Sequence, residues 1–474
     1  MTQIRDPLFE ASLISKHEPA IVTPTRRLLY YEFDELVAEA AWRLKEAGVA
    51  EGERVALHLE NSWEYLVLLL ALLRIAAVAC PTSTRLPRDT VRHQLELIGC
   101  RRLISTRRDE WPDLAGVTVL EYDDVATGAR GGQRINGEKP FSMERPASIV
   151  FTSGSAGSQR AVLHTVGNHY YSALGANINI KVGSHDRWLL SLPLYHVGGL
   201  GILFRCIHAG ATIAIPEADE SLASAQERFE ATHISIVSTQ LYRMLKQDLI
   251  PPSFLKLKAI LLGGGPVNGE LLDEALRRKL PVYTTYGLTE MTSQVTTMTL
   301  QSPPDKRRTS GVVLKYRQCR ISDDGEILVR GHVLFAGYVE GDTIRRPVDA
   351  DGWFATGDLG RIDDRGYLTV TGRKDNMFVS GGENIQPEEI ERALMAIEGV
   401  EDACVVPVPD VEFGMRPAAF IRWRNGGVDE HELAKRLEAS LPRYKLPVRY
   451  LAWPADGERM KTNRAALVQL AREA

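Results

Sequence analysis

Residues 258–290, KAILLGGGPVNGELLDEALRRKLPVYTTYGLTE, contain two apolar runs that each end in a polar loop containing glycine. Short apolar runs without alternation are typical of strands that are buried on both faces of a sheet. Similar runs occur at 148–153, 187–193, 211–216 and 234–239. Because ligands bind where such strands end in open α/β sheets, we expect the chemistry of this protein in these loops.

The pattern extends outward from this stretch in both directions. Strand-like runs at 53–59, 101–106 and 118–122 alternate with longer helical patterns, which predicts βαβ units. From about residue 311 short β-like runs rich in Gly and Asp indicate a compact antiparallel unit. We predict an α/β fold, in which residues 1–373 form a large domain of parallel and mixed sheets flanked by helices, plus a small β-barrel-like subdomain. Residues 374–474 form a small, mobile α+β domain.

Composition excludes several classes of protein. The 474 residues are 44% hydrophobic and 25% charged, with a formal net charge of −4 and no basic stripe, so we expect no nucleic-acid partner. The five cysteines lack metal-ligand spacing and indicate buried thiols in a reducing cytoplasm. The N-terminus lacks the apolar run of a secretory signal. Residues 65–80 are strongly apolar but short for a bilayer span and include Arg74, which favours a buried helix over membrane insertion.

The loop after the strand-like run SIVF is the first candidate site. It reads Thr152, Ser153, Gly154, Ser155, Ala156, Gly157, Ser158, Gln159 and Arg160. Hydroxyls, backbone N–H groups and an arginine can close around phosphate oxygens, although an ordinary Ser/Gly turn remains an alternative. The loop lacks the spacing of a Walker P-loop, which disfavours a P-loop kinase or GTPase.

Three acidic motifs follow along the chain. Glu290 follows Thr289 at a strand end, where one carboxylate could hold Mg²⁺ on nucleotide phosphates. Asp358 is flanked by Gly357 and suits a ribose diol, and the segment GRKD begins at residue 372. Each motif alone is also compatible with a surface turn.

In this order the motifs resemble the acyl-adenylate-forming superfamily, which includes acyl-CoA synthetases. The resemblance runs from about Tyr30 to the C-terminus and comprises TSGSAGSQRAV, YGLTE, TGD, GRKDNMFVSGGENIQPEEIE and a late KTNR. It implies ATP, Mg²⁺ and coenzyme A as the small molecules bound, besides a carboxylic acid. The segment from Gly372 to Glu391 is the most specific of the five.

The resemblance also implies a role for each matching residue. Residues 152–160 would bind the β- and γ-phosphates, Thr289 the α-phosphate, Glu290 the Mg²⁺, Asp358 the ribose hydroxyls and Arg373 the ribose side. The adenine slot would consist of Gly263, Gly264, Gly265, Pro266 and Tyr286, and the adjacent Gly287 would also belong to the cofactor site. Asp375 would be a hinge, and Ser380, Gly381, Gly382 and Glu383 would lie along the pantetheine arm of CoA.

Lys461 would stabilise the charge that develops during adenylation, since a carboxylate attacks an already anionic phosphate. Two departures from the family pattern affect these assignments. The phosphate loop ends in Gln159-Arg160-Ala161 instead of Pro-Lys-Gly, and arginine and lysine differ in geometry. Lys461 follows Arg459 and Met460 instead of Ser-Gly, so Arg459 is a rival for its role.

The segment LPLYHVGGLGILFR, residues 192–205, bears on the identity of the acid. The resemblance makes His196 a wall or gate of the acyl pocket, with Gly198 and Gly199 beside it. Arg205 interrupts a run that otherwise reads as a buried helix, so it needs an anionic partner, either an internal carboxylate or a second carboxylate of the substrate. This segment looks more like the 2-succinylbenzoate–CoA ligases of menaquinone biosynthesis than like fatty acyl enzymes.

Four alternatives stay open at this point. They are a ligase for another aryl or medium-chain acid, an adenylation module that serves a carrier protein, a non-catalytic nucleotide-binding protein and an NAD-linked oxidoreductase. The last is remote, because residues 263–269 depart from G-x-G-x-x-G spacing. Whether the chain forms a homodimer is also left open.

Overall fold

A computed structural model describes the chain except for residues 1, 112–113, 115, 127–132, 153–158, 247–249, 266, 268, 300, 381–382, 425–428, 439, 455–463 and 474. The α-helices of the described part are α1 Pro7–Ile14, α2 Tyr30–Glu46, α3 Trp63–Arg74, α4 Arg88–Leu97, α5 Tyr122–Ala126, α6 Val166–Ile180, α7 Val197–Ala209, α8 Leu222–Phe229, α9 Ser238–Lys246, α10 Gly269–Arg277, α11 Pro387–Met395, α12 Glu430–Glu438 and α13 Arg464–Glu473.

Two large mixed sheets carry the N-terminal part of the chain. In spatial order the eight-stranded sheet consists of Thr343–Arg345, Gly337–Glu340, Ala161–Thr165, Pro146–Phe151, Val78–Pro81, Arg54–His58, Arg102–Ser105 and Thr118–Glu121. The nine-stranded sheet consists of Val312–Val313, Ser293–Thr297, Val282–Leu288, Ala259–Leu262, His233–Ile236, Arg187–Leu189, Thr212–Ala214, Pro19–Val22 and Arg27–Leu29. The central pairs of both sheets are parallel, whereas antiparallel pairs occur towards the edges.

The remaining sheets are small. One pairs Gln3–Ile4 with Phe141–Ser142, and a four-stranded sheet consists of Arg317–Ile321, Glu326–Gly331, Phe354–Ile362 and Leu368–Arg373. Phe378–Ser380 pairs with Glu383–Ile385, and a three-stranded sheet consists of Val400–Asp410, Gly414–Trp423 and Arg449–Ala452. The four-stranded sheet corresponds to the antiparallel unit that the sequence predicts after residue 311. The three-stranded sheet together with α11, α12 and α13 corresponds to the predicted α+β tail.

Helix α3 shows why the apolar stretch at 65–80 contains an arginine. The hydroxyl of Ser62 accepts from the Tyr65 N–H at 3.1 Å and begins the helix. At its other end the buried Arg74 guanidinium forms ion pairs with Asp6 at 2.7 Å and Asp34 at 2.6 Å. The single helix predicted for this stretch is wrong at its C-terminal end. Ala76 adopts a left-handed conformation with φ 64°, and Val78–Pro81 is a central strand.

The chain separates into two compact units. The first comprises Met1–Gly265, Ala275–Cys319 and Val329–Phe354, and the second comprises Pro266–Glu274, Arg320–Leu328 and Ala355–Ala474. The predicted domain boundary after Arg373 and the mobility of the second domain stay predictions. Across the described part of the chain, no helix combines the length and the apolar character that crossing a membrane requires.

Candidate active site

The two ends of the predicted phosphate loop are held together by hydrogen bonds. Strands Pro146–Phe151 and Ala161–Thr165 are antiparallel, with Phe151 opposite Ala161. The Thr152 N–H donates to the Arg160 carbonyl at 2.9 Å, and the Arg160 N–H donates to the Thr152 hydroxyl at 3.0 Å. The loop therefore leaves and re-enters one sheet, and the exposed Arg160 stands at its exit. The predicted residues Ser153, Gly154, Ser155 and Gly157 lie outside the described residues.

The segment that carries Thr289 and Glu290 is fixed through its backbone. The carbonyl of Thr289 accepts from His164 Nε2 at 2.8 Å, and the carbonyl of Glu290 accepts from the Phe335 N–H at 2.8 Å. One residue beyond Met291, the carbonyl of Thr292 accepts from the Ser172 hydroxyl at 2.8 Å. Three separate elements thus position one short turn, which leaves the Glu290 side chain partly exposed at the strand end.

Tyr338, which the sequence analysis missed, connects two predicted site residues. Its hydroxyl donates to Glu290 Oε1 at 2.7 Å and accepts from Arg160 Nη1 at 3.3 Å. The Arg160 guanidinium also lies 5.2 Å from the centre of the Tyr338 ring. Burial and the neighbouring Glu290 raise the pKa of Tyr338, so the phenol stays protonated and can donate. No motif identifies Tyr338, because only the pairing of its strand with Ala161–Thr165, opposite Val162, brings it to the site.

The donor set fits a magnesium ion that is bound mainly by phosphate. Glu290 provides one carboxylate, and the described residues contain no group of three or more His, Cys, Asp or Glu side chains that could hold a metal by themselves. Mg²⁺ commonly combines one or two carboxylates with water and the phosphates of a nucleotide. The predicted role of Glu290 is therefore compatible with a Mg²⁺ that arrives with ATP.

Among the glycines predicted to contact the nucleotide, Gly263, Gly264 and Gly287 stand where a side chain is disfavoured. A Cβ at Gly263 would lie 2.6 Å from a methyl group of Thr285, and Gly264 has a φ of 85°. A Cβ at Gly287 would lie 1.9 Å from the Ser293 carbonyl oxygen. Space next to Gly265 is open. Tyr286 is 9% exposed, and Pro266 lies outside the described residues.

A buried polar network lies behind the Thr289 turn. His164 Nε2 donates to the Thr289 carbonyl, so its Nδ1 is an acceptor and accepts from the Ser148 hydroxyl at 3.5 Å. The Ser148 oxygen in turn accepts from His169 Nε2 at 2.9 Å. His169 stacks on Phe204 of α7 with ring centres 4.4 Å apart. Burial lowers the pKa of His164 to about 4 and that of His169 well below its ordinary value, so both rings are neutral. The network links the α7 region to the turn that carries Glu290.

The start of α7 is the predicted wall of the acyl pocket. His196 immediately precedes the helix and packs edge-on against Tyr195, with ring centres 4.7 Å apart. A Cβ at Gly199 would lie 2.2 Å from the Pro193 carbonyl oxygen, so this position requires glycine. At Gly198 a Cβ would meet only a flexible end of Leu192, at 2.9 Å. The described geometry thus explains Gly199 by packing and leaves His196 partly exposed.

Arg205 lies on α7 and is 1% exposed. Its Nη2 donates to the Ser293 hydroxyl at 3.4 Å, and its guanidinium carbon lies 5.2 Å from the centre of the Trp188 ring. Among the described residues no carboxylate pairs with it, and its Nε and Nη1 have no hydrogen-bond partner. Burial lowers its pKa to about 10. The internal acid that the sequence analysis kept as an alternative is therefore not found in the described part of the chain.

In the second unit, Arg373 bridges two predicted site residues. Its Nη1 donates to Asp358 at 3.0 Å and its Nη2 donates to Asp375 at 2.7 Å. The adjacent Lys374 pairs with Asp324 at 2.7 Å and Glu326 at 2.8 Å. The predicted ribose carboxylate and the predicted hinge residue thus share one arginine.

The predicted CoA segment and the predicted adenylation lysine are only partly described. Ser380 is buried and Glu383 is exposed, each on a short strand. Gly381, Gly382, Arg459 and Lys461 lie outside the described residues, so their roles stay predictions.

Comparison with known families identifies the chain. The AMP-binding enzyme family matches residues 10–339, and the AMP-binding enzyme C-terminal domain matches residues 389–456. The first match alone covers more than half of the chain. This chain belongs to the AMP-binding enzymes. The match confirms the predicted superfamily, which forms acyl-adenylates.

Individual relatives agree with this assignment. The chain is 33% identical over 460 residues to a 2-succinylbenzoate–CoA ligase of Bacillus cereus, covering 94% of this chain and 93% of that protein. It resembles the o-succinylbenzoate CoA synthetase of Bacillus subtilis in complex with the acyl-adenylate intermediate, with a TM-score of 0.89, 28% identity and coverage of 100% and 99%. The Bacillus subtilis enzyme in complex with ATP and magnesium gives a TM-score of 0.87, 29% identity and coverage of 95% and 96%. These similarities confirm the predicted α/β fold class and the class of enzyme, an AMP-forming acyl-CoA ligase.

Proposed function

We propose that this chain joins 2-succinylbenzoate to coenzyme A with ATP, through an acyl-adenylate, in menaquinone biosynthesis. The observation that carries the choice of acid is Arg205, a buried cation without an acidic partner among the described residues. 2-Succinylbenzoate has two carboxylates, so one can react while the other neutralises a buried arginine. An acid with a single carboxylate would leave Arg205 uncompensated.

The first half-reaction requires that a carboxylate attack the α-phosphate of ATP and displace pyrophosphate. Both reactants are anionic, so the site must offset repulsion and the charge that develops between them. In this proposal Arg160 and the Thr152 hydroxyl, which stand at the two ends of the loop, contact the phosphates, and Thr289 contacts the α-phosphate. The hydrogen bond from His164 to the Thr289 carbonyl supports a fixed position for that turn. Mg²⁺ bound by Glu290 and phosphate oxygens would neutralise further charge. Lys461 supplies the remaining cation in this proposal, on the strength of the family resemblance.

The second half-reaction requires that the CoA thiol attack the acyl carbon and release AMP. A lysine that occupies the adenylation site would obstruct the thiol, so a change of conformation between the two steps is expected. We propose rotation at Asp375, which exchanges Lys461 for the segment of Ser380 and Glu383. The Arg373 bridge between Asp358 and Asp375 is the contact that this movement would have to rearrange.

The partners in this proposal are the acid, ATP and CoA. We also propose a cytoplasmic location, which is supported by five unpaired cysteines, all within the described residues, and by the biosynthetic reaction.

Pyrophosphate release tests the proposal directly. The assay contains ATP, Mg²⁺ and CoA with 2-succinylbenzoate, benzoate, octanoate or no acid. Release only with 2-succinylbenzoate, together with formation of its CoA thioester, supports the reaction and the substrate. Release with octanoate or benzoate instead retains the ligase class and removes the assignment of the acid. Absence of release with every acid contradicts the proposed activity.

A further inference from the structure

Arg317 is a second buried arginine, close to the region of Arg205. It begins the strand Arg317–Ile321 and is 5% exposed. Its Nη2 donates to the Ser172 carbonyl at 3.4 Å, but its Nε and Nη1 have no hydrogen-bond partner among the described residues. No carboxylate in the described part of the chain forms an ion pair with it. Arg317 therefore repeats the uncompensated state of Arg205.

The guanidinium groups of Arg205 and Arg317 lie on either side of the contact between Ser172 and the segment Thr292–Ser293. Ser172 of α6 accepts from Arg317 through its carbonyl, while its hydroxyl donates to the Thr292 carbonyl at 2.8 Å. The next residue, Ser293, accepts from Arg205. Burial, and secondarily the positive charge of Arg205, lowers the pKa of Arg317 to about 9, which agrees with two cations that sense each other.

Each guanidinium lies next to a helical glycine, Gly175 of α6 for Arg317 and Gly201 of α7 for Arg205. A Cβ at Gly175 would lie 3.0 Å from Arg317 Nη2, and a Cβ at Gly201 would lie 3.0 Å from Arg205 Nη2. At Gly201 the glycine makes room for the Arg205 guanidinium, whereas at Gly175 a Cβ would also lie 2.8 Å from the Lys315 carbonyl oxygen. Packing of this kind keeps the two charged groups in place within the protein interior.

A third buried arginine of the same unit, Arg74, has the carboxylate partners that Arg205 and Arg317 lack among the described residues. Arg74 is as buried as this pair but forms ion pairs with two carboxylates, Asp6 and Asp34. An unpaired charge in the interior is strongly unfavourable, and two such charges repel each other as well. The buried pair of Arg205 and Arg317 therefore lacks an anionic partner in the part of the chain that the structure describes.

We propose that Arg317 is a second specificity-determining residue, which together with Arg205 binds the ring carboxylate of the acid. The Nε and Nη1 of each arginine make four nitrogens without a partner, and a carboxylate offers about four lone-pair sites. The inference rests on the proposed function, because 2-succinylbenzoate supplies that carboxylate. It adds a recognition residue on the strand Arg317–Ile321, whereas Arg205 lies on helix α7.

The test compares two acids on Arg317→Met, which has similar size and no charge. With 2-succinylbenzoate we expect the KM to rise about 30-fold or more and kcat to stay within about threefold, because a buried charge partner is lost. With 4-oxo-4-phenylbutanoate, which has the same succinyl arm but no ring carboxylate, we expect no change in KM. Arg317→Lys retains the charge without the planar fork and should give an intermediate KM for 2-succinylbenzoate. Arg320→Met, an exposed position on the same strand, is the matched control.

Stability of the free protein separates recognition from a structural role. Removing one of two uncompensated charges should leave the Tm of ligand-free Arg317→Met equal to or above that of the wild type, whereas the rise in Tm on adding 2-succinylbenzoate should largely disappear. A lower Tm with equal losses for both acids would mean that Arg317 only supports the fold, and it would overturn the inference. If Arg317→Met does not fold, an unchanged KM ratio of the two acids in Arg317→Lys overturns it equally.

Binding without turnover distinguishes this inference from the proposed function. Calorimetric titration with 2-succinylbenzoate does not depend on pyrophosphate release. Arg317-dependent binding in a protein that releases no pyrophosphate would retain the two-arginine site and remove the proposed reaction. If the wild type is active but its binding of 2-succinylbenzoate does not change in Arg317→Met, the proposed reaction is retained and the two-arginine site is removed.

Discussion

Two pairs of cations in this chain differ in how their charge is balanced. Arg205 and Arg317 of the first unit are buried, and neither has a carboxylate partner in the described part of the chain. Arg373 and Lys374 of the second unit are exposed, and each pairs with two carboxylates. Although partial burial opposes it, Asp358 and Asp375 raise the pKa of Arg373.

The difference indicates where a ligand contributes most. At the second pair a ligand must compete with internal partners that are already in place, and water screens the charges. At the first pair an anion meets cations that have already lost their hydration, so its binding energy is large and selective. We therefore expect selectivity for the acid to reside in the first unit. The second pair is suited to contacts that form and break.

The largest effect is expected from the buried side of the comparison. Arg205→Met should lower kcat/KM for 2-succinylbenzoate about 10³-fold, because a desolvated carboxylate loses its main partner. Arg373→Met should leave the preference between 2-succinylbenzoate and 4-oxo-4-phenylbutanoate unchanged. Steady-state kinetics on both acids measure the effect. Equal loss of preference in the two variants would break the comparison.

The buried histidines of the first unit predict that the stability of the protein depends on pH. Burial lowers the pKa of His164 to about 4, below the value of about 6.5 in an unfolded chain. As the pH falls from 6.5 towards 4, the unfolded chain binds a proton that the folded chain does not, so the free energy of unfolding decreases. Between pH 7 and pH 5, His164→Gln should remove about 2 kcal/mol of that decrease. Urea unfolding at the two pH values checks this, and an identical pH slope in both proteins would contradict it.

The variant Tyr338→Phe tests the contribution of Arg160, an exposed cation of the first unit. Tyr338→Phe removes the hydroxyl between Arg160 and Glu290, which should lower kcat/KM for ATP about 10-fold, in line with one hydrogen bond to charged groups. The KM for the acid should stay the same. Tyr316→Phe, at an exposed position, is the control. A change in the acid KM rather than in ATP kinetics would assign Tyr338 to the acyl pocket.

The smallest effect is expected from the exposed, paired side. The Lys374 ammonium holds the pKa of Asp324 at about 2, yet both groups are exposed. Lys374→Gln should therefore shift Tm by less than about 2 °C, and 1 M salt should remove the difference. Thermal unfolding at low and high salt measures this. A large, salt-independent loss would show that the second pair contributes to stability as a buried one does.

The fold class was predictable because its signals are local. The strands Pro146–Phe151, His233–Ile236, Ala259–Leu262 and Val282–Leu288 coincide with four of the predicted apolar runs, and the helix predicted after Pro387 is present. The error at 65–80 arose because helix α3 and the strand Val78–Pro81 are both buried, and uniform apolar sequence does not separate the two. The left-handed Ala76 between them has no signature in the sequence.

The candidate site was only partly predictable. Glu290 and Arg160 stand in motifs, and the structure joins them through Tyr338. The turn at Thr289 depends on His164, Phe335 and Ser172, which lie far apart in sequence. Arg317 gave no sequence signal, because an arginine in a β-like run is usually exposed on the sheet face.

The sequence by itself determined the family, the alternation of strands and helices and the presence of an arginine in an apolar helix, since these depend on the order and spacing of residues. Only the tertiary structure decided which charges are compensated. Arg74 ends one apolar helix and Arg205 lies within another, but Arg74 meets Asp6 and Asp34 whereas Arg205 meets Ser293 and Trp188. Compensation of a buried charge depends on partners from distant parts of the chain, and folding alone brings them within a few ångströms.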